Sequence, residues 1–204
     1  MKKLFSILLS LLLIVTISGC SLGNTPSKKV EDFLDKYKNE DKGILTELKN
    51  MIDSDGLMND NEKDTYTNII RKQYKDLSYE IKDEKINGNK AVVTTEIEVY
   101  DFYKTNQEAL DYYNNNKKEF LIDNGNNTDN NANNNTTNND NTNASTDTTI
   151  DNTKFIDYRL GRLGEVKDRI KYQIDFNLTK KNNKWTIDDI DDATRQKIHG
   201  LFEH

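Results

Sequence analysis

The chain has 204 residues, 31% charged and only 34% hydrophobic, which is enough apolar matter for one modest core and not two. Net charge is −6; Lys2 and Lys3 lie in an N-terminal stretch without acids, so the remainder holds 27 basic against 35 acidic residues, or −8. That acidic balance is a poor match for nucleic acid or anionic lipid headgroups. One cysteine, Cys20, excludes an internal disulfide and a Cys-based metal site.

Met1-Lys2-Lys3 is a short basic start, Leu4 to Ile17 is an apolar run, and Ile17-Ser18-Gly19-Cys20 follows. This is the layout of an export signal, too short to read as a lasting membrane span. Small residues before the cysteine suit an extended chain in a peptidase cleft, and the thiol is the atom a diacylglyceryl thioether requires. Ile17, Ser18, Gly19 and Cys20 therefore resemble the lipobox of bacterial lipoproteins. The resemblance implies a signal peptide over 1–19, a diacylglycerol on Cys20 as the only attached group, and a membrane anchor on the extracytoplasmic face of the cell membrane. Multiple acyl chains hold firmly, since each buried methylene adds about 0.8 kcal/mol.

Ser21 to Pro26 reads as a tether, so that 20–26 is a lipidated linker and 27–204 the domain. Ser27 is the expected N-cap of a helix over Lys28 to Lys38, with Val30, Phe33, Leu34 and Tyr37 at helical spacing. A second helix is expected over Lys42 to Ile52, with Ile44, Leu45, Leu48, Met51 and Ile52 inward. A third is expected over Asn61 to Lys75, with Tyr66, Ile69, Ile70 and Tyr74 as its stripe. The period then changes to two at Leu77, Tyr79 and Ile81, and Asn87-Gly88 signals a hairpin with positive φ at both turn residues. Ala91 to Phe102 is the return strand. Thr105-Asn106-Gln107-Glu108 has the form of a capping box and predicts a helix start, with Leu110, Tyr113 and Phe120 inward.

Residues 124 to 152 contain 13 Asn, 7 Thr and 4 Asp in 29 positions, with Ile150 as the one large apolar side chain. Too little apolar surface is available there to offset ordering entropy, so the tract reads as a long disordered Asn-rich loop inserted in the domain. Phe155 to Leu163 looks helical. Ile170, Tyr172, Ile174, Phe176 and Leu178 alternate cleanly, Lys181-Asn182-Asn183 turns, and Lys184 to Ile190 returns with Trp185 and Ile187 inward. Asp191 or Asp192 caps a last helix ending near Phe202. The fold class is α+β: two hairpins form a four-stranded antiparallel sheet, and helices cover its apolar face.

Three segments carry a further resemblance: Val30 to Tyr37, the pair Tyr79-Glu80-Ile81 with Asn87-Gly88-Asn89-Lys90-Ala91-Val92-Val93, and Lys184-Trp185-Thr186-Ile187-Asp188. Together they resemble the NTF2-like domains of small lipoproteins from Gram-positive bacteria. The resemblance implies helices packed on a curved sheet, a cone, and a family used as catalyst, as ligand pocket and as interaction module.

Catalysis in such cones commonly uses His with Asp. Here the only histidines are His199 and His204, near the C-terminus, and His199 reads as a solvated surface residue. No phosphate loop, nucleophile elbow or metal-ligand spacing occurs, so neither an enzyme nor a metal site is expected. Tyrosine is plentiful, and Tyr79, Tyr100, Tyr172 and Trp185 are the candidate pocket, with ordinary core packing as the competing reading. The expected role is a non-catalytic interaction module for an envelope protein or wall component. The alternative is a small-ligand sensor with a Tyr-lined cone.

Overall fold

The computed structural model describes residues 24–122 and 150–204. The first helix, α1 (Pro26–Lys38), begins two residues earlier than expected, because Thr25 is the N-cap: its hydroxyl accepts from Lys28 N at 3.1 Å. Pro26 then stands at N1, where its fixed φ suits the helix and its missing N–H removes nothing. Ser27 is freed for another task, and donates from both backbone N (2.8 Å) and hydroxyl to the Glu84 carboxylate.

Helix α2 (Lys42–Asp53) is capped by Asp41 and buries Ile44, Leu48 and Ile52. Met51, expected inward, is 39% exposed. Helix α3 (Asp60–Asp76) opens with a capping box: Glu62 N donates to Asn59 Oδ1 at 3.1 Å, and Asn59 N donates to Glu62 at 2.6 Å. The acidic residues ahead of α3 are thus occupied in ending one helix and starting the next.

Strands β1 (Ser78–Asn87), β2 (Lys90–Tyr100), β3 (Arg169–Lys181) and β4 (Lys184–Ile187) form one open antiparallel sheet in the order 1-2-3-4. Along β2, Ala91, Val93, Thr95, Ile97 and Val99 are buried; along β3, Tyr172, Ile174, Phe176 and Leu178 are. Each fully buried large apolar side chain contributes about 1.5–3 kcal/mol. The opposite face is polar, and carries ion pairs such as Lys171–Glu96 (2.9 Å) and a hydrogen bond from Thr94 to Asp175 (2.7 Å).

The register slips by one residue between Ile81 and Asp83, which places Glu84 opposite Val93 on the helix side and lets it reach Ser27. The first turn differs from expectation by one position. Asn87 still pairs with Lys90, so the turn residues are Gly88 and Asn89, and Gly88 alone of these has positive φ (60°). A glycine at the first central position fits a II′ turn. The second turn is Asn182-Asn183, with φ of 48° and 61°.

Helix α4 (Phe102–Asn115) begins three residues before the expected capping box. Asp101 is its N-cap, accepting from Lys104 N at 2.9 Å, and Thr105 lies inside the helix with its hydroxyl on Asp101 O. Leu110 is 42% exposed, against expectation, while Ala109 is buried. A 3₁₀ turn (Lys117–Phe120) follows.

Helix α5 (Asn152–Glu165) starts earlier than read from the sequence. Ile150 bridges Leu121 and Asp151 caps Thr153 and Lys154, so residues 150–152 belong to ordered structure and not to the inserted tract. Helix α6 (Asp192–His199) is capped by Asp191 and ends at Gly200, whose φ of 72° is left-handed. Among the described residues no helix is long and apolar enough to cross a membrane.

Candidate functional site

A groove runs along the seam between α3 and α5. Thr65, Asn68, Ile69 and Lys72 form one wall; Leu160, Gly161, Leu163 and Gly164 form the other. Three adjoining hollows of about 530, 290 and 840 Å³ meet at Gly164. A Cβ added at Gly161 or Gly164 would touch nothing within 4 Å, so both glycines face open space in the groove. Two glycines in a helix cost about 1 kcal/mol each relative to alanine.

Tyr100 heads this groove, at the end of β2. Its backbone N donates to Gln73 Oε1 (2.8 Å), and Gln73 Nε2 donates to Ile198 O (3.3 Å), so a fully buried amide joins α3, β2 and α6. The ring stacks on Phe102 (6.0 Å, 23°), with Lys72 Nζ 4.0 Å and the Arg169 guanidinium carbon 4.9 Å from its centroid. Its hydroxyl donates to Asp76 at 2.7 Å and accepts from Lys72, which also donates to Asp76 at 2.9 Å. Burial opposes the charge on Lys72, but hydrogen bonds to Tyr100 and Asp76 outweigh it and raise its pKa. The Lys72 and Tyr100 hydrogen bonds hold the Asp76 carboxyl below its ordinary range.

Lower along the rim, Lys104 pairs with Asp168 (2.7 Å) and Arg162 with Glu108 (3.4 Å). The charges are thus largely matched within the groove. What it offers a partner is a braced aromatic ring, cation faces and a polar rim.

A second cleft, about 540 Å³, lies between α2 and α6, with Ile44, Leu48, Met51 and Leu201 as its apolar wall. Tyr37 and Tyr74 meet edge to face at 5.1 Å, and the Tyr74 hydroxyl lies 2.9 Å from His199 Nε2. The solvated reading of His199 is therefore corrected: tertiary packing sets its ring against Tyr74, and burial, with a smaller contribution from Arg195, lowers its pKa to about 4. Burial likewise pushes Tyr37 up to about 12.

The four aromatics singled out from the sequence are dispersed. Tyr79 and Tyr172 both lie opposite Ile97, on either side of β2. Tyr79 donates to Asp35 (2.7 Å), and Tyr172 donates to Phe202 O (2.8 Å). Trp185 lies opposite Lys180, eight residues along β3 from Tyr172, or roughly 26 Å at strand spacing. Of the four, only Tyr100 lines either cleft.

Lys72, Gln73, Arg169 and Gly164 were not legible as site residues; a pair of glycines inside an otherwise helical pattern was the available signal. Ile17, Ser18, Gly19 and Cys20 lie outside the described residues, as does the Asn-rich tract over 124–149. No family model matches the chain, and no solved structure matches its fold.

Proposed function

We propose that the chain is a membrane-anchored extracytoplasmic lipoprotein. Its domain would be a non-catalytic interaction module that holds an envelope protein or wall component in the α3–α5 groove. The observation that carries this reading is the groove itself: three joined hollows, open along one side, headed by a tyrosine braced by Lys72, Asp76 and Arg169. Rigid Tyr and Arg side chains are the usual energetic centres of protein interfaces. The anchor is the diacylglycerol on Cys20, the first residue after the signal peptide.

Kinship with the NTF2-like lipoproteins is part of the same proposal. What supports it is that the helical start, the Gly88 hairpin and the Lys184-Trp185 strand form a helix, a hairpin and the closing strand of one four-stranded sheet. The curved cone is likewise proposed and not observed.

A photoreactive residue at Gly161, introduced in intact cells, tests the groove. One abundant adduct that disappears when Gly164→Trp fills the hollow is the expected result. An identical adduct from Gln173 on the outward sheet face, or none above background, would sink the reading. Cys20→Ser should release the protein or leave an unprocessed precursor.

A second reading has its own observation. The α2–α6 cleft sets apolar walls beside Tyr74 and His199, the pattern expected of a small-ligand site. A ligand there would protect His199 from protonation, which NMR titration of its ring would register.

A further inference from the structure

The chain is acidic overall, but one end of the sheet is not. Both hairpin turns lie at that end, since Lys180 N donates to Asn89 O at 2.8 Å. Around the Asn182-Asn183 turn stand Lys180, Lys181 and Lys184. Lys180 rests over the Trp185 ring at 5.4 Å. Lys181 and Lys184 are exposed, and no carboxylate of the described residues lies within ion-pair distance of either. They are also register partners, directly opposite one another. Like charges in that position destabilise a hairpin. The turn, with both asparagines left-handed, holds them there.

The polypeptide enters the domain at this same point. Asn24 Nδ2 donates to Asn183 O (2.6 Å), and Trp185 N donates to Asn24 Oδ1 (3.4 Å). Three residues, and so four peptide steps, separate Asn24 from Cys20, a covalent reach of at most about 14 Å. A lipid on Cys20 therefore keeps the lysine turn within little more than a screening length of the headgroups, where each lysine strengthens association with an anionic surface about fivefold.

We infer that the Lys180–Lys184 turn seats on anionic lipid headgroups and stands the domain upright on its anchor; this rests on the lipoprotein reading of Cys20. Tyr100 lies at the other end of β2 from Lys90, roughly 30 Å away at strand spacing. In this pose the α3–α5 groove points away from the membrane, toward partners. The charge of −8 left after the leader is removed works with the turn, repelling the rest of the surface from the same headgroups.

The sole tryptophan, Trp185, reports on the turn directly. The mature acylated protein is reconstituted into phosphatidylcholine vesicles with or without phosphatidylglycerol, each containing headgroup spin-labelled lipid. Quenching of Trp185 should rise with phosphatidylglycerol and fall at least threefold in the Lys181→Glu/Lys184→Glu variant. Lys180 is left in place because it touches the ring. Both altered side chains are exposed, so an unchanged melting curve certifies the fold. Quenching that is the same in the variant, or the same in pure phosphatidylcholine, overturns the docking while leaving the anchor intact. Protein that washes off both vesicle types overturns the anchor, and this inference with it.

Discussion

The main body and the α4–α5 excursion are held together in different ways. In the body, α1, α2, α3 and α6 cover a sheet whose strands pair across long stretches of sequence, around Leu34, Ile70, Ile97 and Phe176. The excursion has a satellite core of rings: Tyr113–Phe155 at 4.7 Å, Tyr112–Tyr158 stacked at 4.8 Å, and Phe120 against four of them. Among the described residues a single bridge, Leu121–Ile150, with Asp151 N donating to Phe120 O (2.7 Å), closes its base. Leu110, Ile122 and Ile150 remain exposed around it. The inner face of α5 joins the main core through Ile156, Leu160 and Leu163. The lesson is that the groove lies on a seam between the body and an excursion whose outer part rests on the ring cluster alone, and it is that outer part that is expected to open at lower free energy.

The comparison breaks most visibly at Gly200. A Cβ there would stand 2.1 Å from Tyr100 O, and the residue already needs positive φ. Gly200→Ala should lose about 4 kcal/mol, from left-handed strain and overpacking together. In a domain of this size that is a fall in Tm of roughly 8–16 °C. Thermal melting read by circular dichroism should show the whole body moving as one transition.

Phe120→Ala should act otherwise. It removes the ring at the centre of the satellite, an effect of about 3 kcal/mol felt locally. Hydrogen exchange should quicken across α4 and the first turn of α5, while amides of β2 and β3 keep their protection. Equal acceleration in β3 would show that the two regions form one cooperative unit after all.

The same contrast explains what the sequence discloses. The alternation of Ile170 to Leu178 was legible because one sheet face meets helices and the other meets water, so burial repeats every second residue. Helix starts were less legible where two caps compete. Thr105 and Glu108 have the right spacing, but Asp101 lies nearer the strand end and captures Lys104 N first. Thr25 displaces Ser27 because Pro26 favours N1 and Glu84 recruits the serine from 57 residues away. Tyr100 could be named as a candidate, yet its neighbours Lys72, Gln73 and Arg169 come from α3 and β3, and nothing local announces them. His199 was misread for the same reason, since its burial is made by Tyr74, 125 residues earlier.

His199 offers a chemical way to separate the regions. Its folded pKa of about 4 lies below the ordinary value of 6.5. Between those values the unfolded chain binds a proton that the folded chain does not. Its contribution is therefore fully present above pH 6.5 and is lost as pH falls toward 4, by on the order of 3 kcal/mol. Urea melts of wild type and His199→Gln should converge near pH 4 once the shared carboxylate effects are subtracted. Acid should loosen the α2–α6 face of the body before it touches the satellite rings.

The smallest effect expected is the one of opposite sign. Lys181 and Lys184 repel across the second hairpin, so Lys181→Glu turns a like pair into an attractive one. The gain should be modest, a rise in Tm of about 1 °C that fades with added salt, because both side chains are in solvent. The main body would then be slightly more stable with glutamate than with its own residue. A body that keeps a repulsive pair at the turn where Asn24 pins the incoming chain is giving up stability at one defined place. If Lys181→Glu leaves Tm unchanged at low salt, the two ammonium groups do not interact, and stability then offers no reason to single out this turn.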